Sequence, residues 1–272
     1  QQNDNGVVTK DGFKATVISV EKDAAGKFLH TLKIEEGAIK FGDTYTLATD
    51  AALRLSTARN HTTTHLLQKA LRIVLGDHVE QSGSYVSSDR LRFDFTHFSS
   101  MTSEEIDKVE RMVNEIILQD MPVVTRVMKQ DEARKLGAMA LFGEKYGDEV
   151  RVVTVGDLDA PYSMELCGGT HLTHSGQAGQ FRIISESGVA SGIRRIEAVT
   201  GLACYEMSKS DREFIGEVST ALKVNKDQAV RKAEAMALEI KALEKEIAEL
   251  KKANAGDVVG DAISKATEIN GL

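Results

Sequence analysis

Asn60-His61-Thr62-Thr63-Thr64-His65-Leu66-Leu67-Gln68-Lys69-Ala70-Leu71 is the stretch where the chain changes character. Leu66, Leu67, Ala70, Leu71, Val74 and Leu75 recur at helical spacing. That spacing predicts a helix over Ala52 to Leu75, with Gly76 as its stop. His61, His65, Gln68 and Arg72 fall on another stripe, so both histidines are expected off the centre of the apolar face. Before this helix the pattern is β. Phe13, Ala15, Val17 and Ser19 alternate with Lys14, Thr16, Ile18 and Val20. His30, Leu32 and Ile34 alternate again, and Gly37 and Gly42-Asp43 punctuate a third segment, Thr44 to Thr49. Short strands at this spacing point to a small β-barrel or sandwich over residues 1–55.

After the helix, strands and helices are interspersed. Thr102 and Glu105 have capping-box spacing and open a helix carrying Ile106, Val109, Val113, Ile116 and Ile117. Val123 to Met128, Val150 to Val155, Gln180 to Glu186 and Arg195 to Val199 read as strands, and Gln130 to Leu136 as a short helix. Residues 56–204 are therefore expected to form an α/β or α+β domain. From Glu206 to Asn254 glycine is scarce. Ala229, Ala233, Met236, Ile240, Leu243, Ile247 and Leu250 keep a 4-3-4-3 spacing there. That heptad seam predicts one long helix over 205–254. Residues 255–272 are expected to begin a further domain. The opening Gln1-Gln2-Asn3-Asp4-Asn5-Gly6 carries no Met and reads as a piece cut from a longer chain.

Composition narrows the classes. With 42% hydrophobic and 28% charged residues, the 272-residue chain is ordinary globular material rather than a disordered or collagen-like one. No apolar run reaches the roughly 20 residues that span a bilayer. Cys167 and Cys204, the two cysteines, cannot form a disulfide scaffold, so a cytoplasmic setting is expected. A net charge of −7 means that nucleic acid would have to be met by a local basic patch.

Two motifs can carry chemistry. His61 and His65, at i and i+4 on a helix, point the same way and can converge on one metal ion. With seven histidines in the chain, such a pair alone is more often two half-buried side chains. Cys167-Gly168-Gly169-Thr170-His171 offers a thiolate and an imidazole around a tight turn, though a turn with an incidental cysteine has the same look. Together His61, His65, Cys167 and His171 make a three-nitrogen, one-sulfur set suited to tetrahedral Zn2+. Thr62 stands where a zinc peptidase of the HExxH kind has its glutamate, so peptidase chemistry is not expected. Other candidates are Gln81, read as lying in a loop after the helix, and Arg92 and Asp94, which alternate with Phe93 and Phe95. Arg194 and Arg195, at a strand entrance, suit phosphate or carboxylate binding. For each alone, a structural hydrogen bond or an exposed charge is the commoner explanation.

Taken in order, these stretches resemble a known family. They are Asn60 to Leu67, His78-Val79-Glu80-Gln81-Ser82-Gly83-Ser84, Leu91 to Phe95, Glu165 to His171, and Gly192-Ile193-Arg194-Arg195-Ile196-Glu197-Ala198-Val199-Thr200-Gly201. The pattern resembles the editing domain of alanyl-tRNA synthetases and is similar to the free-standing alanyl-tRNA editing proteins. Glu206 to Asn254 resembles the coiled-coil region that follows that domain. The resemblance implies hydrolysis of tRNA(Ala) mischarged with serine or glycine, with the mischarged acceptor end as partner. It implies Zn2+ held by His61, His65, Cys167 and His171. Gln81 and Thr170 would act at the aminoacyl ester, and Thr63, Thr64, Arg92, Asp94, Gly168, Gly169, Arg194 and Arg195 would line the substrate site. The heptad helix has two readings, a homodimer of this chain or packing on another domain to help hold tRNA, and the alanines at its early seam positions weaken the first. Of the family's Gly-Gly-Gln…Asp-x-Gly strand, only Gln1, Asp4 and Gly6 match here.

Two other readings stand beside it. In the first, zinc only staples a module that grips tRNA without hydrolysis and leaves mischarged tRNA intact. A threonyl-type editing domain is the second. The preceding β segment, the Arg194-to-Ala198 run and the heptad helix speak against it.

Overall fold

The structure, a computed structural model, describes residues 1–23, 25–139 and 147–265. The first strands are β1 (Gly6–Lys10), β2 (Phe13–Lys22), β3 (Phe28–Glu36) and β4 (Thr46–Thr49). They form an antiparallel sheet in the order β3-β2-β1-β4. Phe13, Ala15 and Val17 point to one face of β2 and bury against Val8, as their alternation requires. The expected barrel is not closed. β3 and β4 are the two edges of an open sheet, β4 is only four residues long, and both strands are exposed along most of their length. One apolar row makes a single-faced core and leaves nothing to draw the edges together.

The long helix α1 (Ala51–Leu75) follows, capped by the Asp50 carboxylate on the amides of Ala52 and Leu53. It stops at Gly76, whose φ of 115° is a conformation that other residues avoid. Then come β5 (Gln81–Val86), β6 (Leu91–Thr96), α2 (Ser103–Leu118), β7 (Val123–Lys129), α3 (Gln130–Lys135), β8 (Glu149–Gly156), β9 (Pro161–Leu166), β10 (Phe181–Ala190) and β11 (Ile193–Thr200). They build two antiparallel sheets, ordered β10-β11-β6-β5 and β7-β8-β9. Helices thus pack on antiparallel sheets, an α+β arrangement. Leu66, Leu67, Ala70 and Leu71 of α1 and Val109, Val113 and Ile117 of α2 share one core with Phe93, Phe95, Phe181 and Ile196 of the first of these sheets. Each fully buried side chain of this size contributes about 1.5–3 kcal/mol. Gln81, read as a loop residue, opens β5 instead.

The chain divides into two compact units, Gln1–Glu206 and Met207–Leu272. In place of one helix over 205–254 there are two, α4 (Leu202–Leu222) and α5 (Ala229–Ser264). Lys223 breaks the run with a φ of 56°, and a 3-10 turn at Lys226–Gln228 follows. The heptad seam lies wholly within α5, where Ile240, Leu243, Ile247 and Leu250 are exposed. Residues 255–264, expected to open another domain, continue α5, and 266–272 lie outside the described residues. No helix among the described residues is long and apolar enough to cross a membrane.

The start of α2 is fixed by the capping box that the sequence signals. Thr102 Oγ1 accepts from the Glu105 amide at 3.2 Å, and the Glu105 carboxylate accepts from the Thr102 amide at 2.8 Å. Thr102→Ala should lower stability by about 1 kcal/mol. Urea unfolding should show an earlier midpoint, and an unmoved midpoint would mean that α2 is held by packing alone.

Candidate metal centre

α1 crosses the middle of the module and is buried on nearly every side between Thr57 and Leu71. Within it His65 is buried and His61 half-buried. Their i, i+4 spacing turns both rings toward the segment after β9, which brings in Cys167 and His171. The ligand atoms of His61, His65, Cys167 and His171 all lie within 4.8 Å of one another. Cys167 Sγ is 3.4 Å from His61 Nε2 and 3.3 Å from His171 Nε2.

Each imidazole is held from behind through Nδ1. His65 Nδ1 meets Glu165 Oε2 at 2.5 Å, His171 Nδ1 meets Thr62 Oγ1 at 3.2 Å, and His61 Nδ1 meets Gln1 Oε1 at 3.0 Å. A proton on Nδ1 leaves the Nε2 lone pair turned inward, the arrangement by which outer partners orient metal-binding histidines. His65 Nε2 is buried and has no hydrogen-bond partner. A buried nitrogen of this kind is costly unless it meets a donor or a cation. The chemistry of the donor set and this unsatisfied atom both fit a divalent metal. The formal charges fit too, since the Cys167 thiolate and the buried Glu165 carboxylate together balance a 2+ ion.

Burial and mutual contact strongly perturb three of these side chains. Burial works against the Cys167 thiolate, but His171 and His61, which donate to it when Nε2 carries the proton, outweigh burial together with the nearby His65 and bring the thiol down to about 2. Burial likewise works against a cationic His65, yet Glu165 and Cys167 raise it to about 10. Burial lowers His171 to about 4, and the charges of His65 and His61 push in the same direction.

Backbone chemistry sets the close approach. A side chain on Gly169 would collide with the His61 ring and with Gln1, so only glycine fits there. The Gly169 carbonyl accepts from Arg151, and the Cys167 amide donates to the Arg151 carbonyl at 3.0 Å. The Thr170 amide donates to Gln1 Oε1 at 2.7 Å. Gly168, Gly169 and Thr170 also line a cavity of about 660 Å³, together with Gln1, Phe28 and His30. That volume is in the usual range for small-molecule sites.

The remaining sequence candidates separate into groups. Gln81 pairs with Phe95, and a register shift before Gly83 makes it share the core-facing side of the sheet with that ring. Thr64 Oγ1 donates to the Asn60 carbonyl at 2.8 Å, and Thr63 Oγ1 is buried without a partner. Asp94 grips Arg195 with both oxygens, at 2.6 and 2.8 Å. Glu186 does the same for Arg194, at 2.5 and 2.7 Å. Both guanidiniums therefore bind carboxylates of the fold, one of the two anion types their placement suits. Arg92 lies over the Tyr85 ring, 5.9 Å from its centroid, and 3.8 Å from Asp94. Sequence reasoning missed Glu165, Thr62 in its bonding role, and Asn60. Asn60 bridges the Ser87 carbonyl at 2.9 Å and the Thr200 hydroxyl at 2.7 Å. Period-two alternation, which puts Glu165 and Cys167 on one side of β9 and its extension, was the available signal for the first.

Comparisons with known proteins agree with the motif reading. The family described as "Threonyl and Alanyl tRNA synthetase second additional domain" matches residues 150–197. The whole chain is 51% identical to part of an alanine–tRNA ligase of Acetivibrio thermocellus, covering 30% of that protein. It is 44% identical to one of Alkaliphilus oremlandii, again over 30% of its length, and 48% identical to one of Sinorhizobium medicae over 32%. The chain thus spans about a third of the length of the curated relatives it matches.

Glu165→Gln keeps the shape of the side chain but weakens its hold on His65. Metal affinity should fall about 10- to 100-fold, read by competition with a chromogenic chelator. Equal affinity in the variant would mean that His65 is not oriented by Glu165.

Proposed function

This chain is similar throughout its length to a segment of alanine–tRNA ligases, and on that premise we propose that it hydrolyses the aminoacyl ester of tRNA(Ala) mischarged with serine or glycine. The carrying observation is that Gly168-Gly169-Thr170 borders both the four-ligand cluster and the adjoining cavity. We assign Zn2+ to His61, His65, Cys167 and His171, because three imidazoles and a thiolate suit it best. When bound, it supplies a fixed positive charge that helps to position the acceptor end of the substrate.

The chain's own residues do the rest. Glu165, Thr62 and Gln1 hold the imidazoles in place. Gly168 and Gly169 carry no side chain, so the ester can come close to the backbone. Thr170 and Gln81 are the polar groups assigned to the reacting ester. Serine is told from alanine by its hydroxyl, and a site built to bond that group leaves its own polar atoms unpaired when alanine enters. Thr62 is not the reader, because its oxygen is engaged by His171 and the Leu172 amide. Thr63 has no partner, and Thr64 keeps lone pairs after donating to Asn60. One of these, with Gln81, reads the hydroxyl. Glycine differs from alanine by one methyl, which limits discrimination in any aminoacylation pocket and makes a second, hydrolytic site useful.

A second reading is favoured by the closeness of all four donor atoms: a shell filled by the protein is typical of structural zinc. The chain would then bind tRNA without hydrolysis. The threonyl-type alternative loses support from the full-length match to alanine–tRNA ligases. We also assign the exposed α5 seam to pairing of two copies, which sedimentation of the chain would detect, and a cytoplasmic setting to the protein.

The purified chain should release serine from Ser-tRNA(Ala) and spare Ala-tRNA(Ala). Rates equal to buffer would support the binding module instead. Cys167→Ala should lower zinc content and serine release together, and full activity without zinc would remove the metal from the account. Gln81→His should block serine release while zinc content is retained. Unchanged release would place Gln81 away from the ester.

A further inference from the structure

Beyond the C-terminal end of α1, aromatic rings line up from the core to the surface. Phe93 and Phe95 are fully buried, with centroids 6.1 Å apart. Phe95 lies 6.4 Å from His97 and His78 lies 5.7 Å from Phe98, centroid to centroid, while His97 and His78 lie edge to edge with centroids 5.2 Å apart. The planes in each pair differ by 17–27°. His78 Nε2 and His97 Nδ1 also share a hydrogen bond of 2.9 Å. Both ring-bearing segments are pinned by backbone bonds. Thr96 Oγ1 donates to the His78 carbonyl at 2.6 Å, and the His97 amide donates to the Gly192 carbonyl at 3.0 Å. Phe98, at the outer end, is 88% exposed.

A phenylalanine held out in water costs free energy and gives the fold nothing. Here it ends a pinned strip of near-parallel rings, in which a hydrogen bond joins His78 and His97 edge to edge into one flat surface. Such a surface suits one class of ligand, a flat heteroaromatic ring with hydrogen-bonding edges. We propose that His78, His97 and Phe98 form a stacking platform for an unpaired nucleobase in the single-stranded end of an RNA. Arg72, whose guanidinium holds the Val79 carbonyl and Asp77, fixes the loop that carries His78. Ten residues of α1 separate His65 from Leu75, about 15 Å at 1.5 Å per residue. The base on the platform is therefore not the one that bears the ester but a neighbour in the same strand. The inference rests on the reading that the substrate is an aminoacylated RNA.

The test uses the full chain and a fluorescein-labelled RNA hairpin with a four-nucleotide 3′ overhang, beside the same hairpin made blunt. Phe98→Ala should weaken overhang binding about tenfold in anisotropy titrations, and Phe98→Tyr should restore it. Binding of the blunt hairpin should not change. Phe98 is exposed, so the variant should fold, and its zinc content checks that it does. Equal overhang binding by wild type and Phe98→Ala, an equal loss for both hairpins, or no overhang binding by the wild type would each overturn the platform. Failure of the functional reading looks different: the wild type would bind the overhang normally yet leave Ser-tRNA(Ala) intact.

Discussion

A thiolate, a carboxylate and three imidazoles cannot share a buried pocket unless positive charge sits among them. In this protein those groups are Cys167, Glu165, His61, His65 and His171. The surroundings meet that demand in two ways. With the proton on Nε2, His61 and His171 donate to the thiolate; with it on Nδ1, where each imidazole meets an oxygen, Nε2 offers a metal its lone pair. Every other feature of the site depends on this. Gly169 must lack a side chain because the His61 ring occupies its space, and Thr62 must be a hydroxyl because it bridges His171 and the Leu172 amide.

The fold supplies the rigidity that such a cluster needs. α1 is anchored at its start by Asp50, in its middle by Asn60 and at its end by Gly76. Its buried leucines fix the rotation of the helix, and that rotation aims the histidines. On the opposite side, Arg151 reaches across from β8 to hold the loop of Cys167 and Gly169. The arginine–carboxylate pairs Arg195–Asp94 and Arg194–Glu186 lock the neighbouring sheet. Arg194, Arg195 and Asp94, expected at the substrate site, are thus engaged in carboxylate–guanidinium pairs of the fold.

Much of this was legible in the residues. The bounds of α1 follow from its leucine spacing and Gly76, and the start of α2 from Thr102 and Glu105. The four ligands follow from two short motifs about a hundred residues apart. What stayed hidden has physical reasons. β5 is polar and carries a bulge, so Gln81-Ser82-Gly83-Ser84 has no clean alternation and reads as a loop. The closed barrel failed because alternation reports one buried face and says nothing about whether edges meet. The long helix breaks at Lys223, a residue of good helix propensity, in a left-handed conformation that composition does not signal. Glu165 finds its partner 100 residues away, a relation that no local pattern shows.

The account stands or falls on the coordination of one ion. X-ray absorption at the zinc edge of the purified chain measures it directly. The expected spectrum fits one sulfur at about 2.3 Å and three nitrogens at about 2.0–2.1 Å. A metal-free protein, or zinc surrounded by oxygen and nitrogen with no sulfur, would contradict the claim that Cys167 and the three histidines meet on a shared metal.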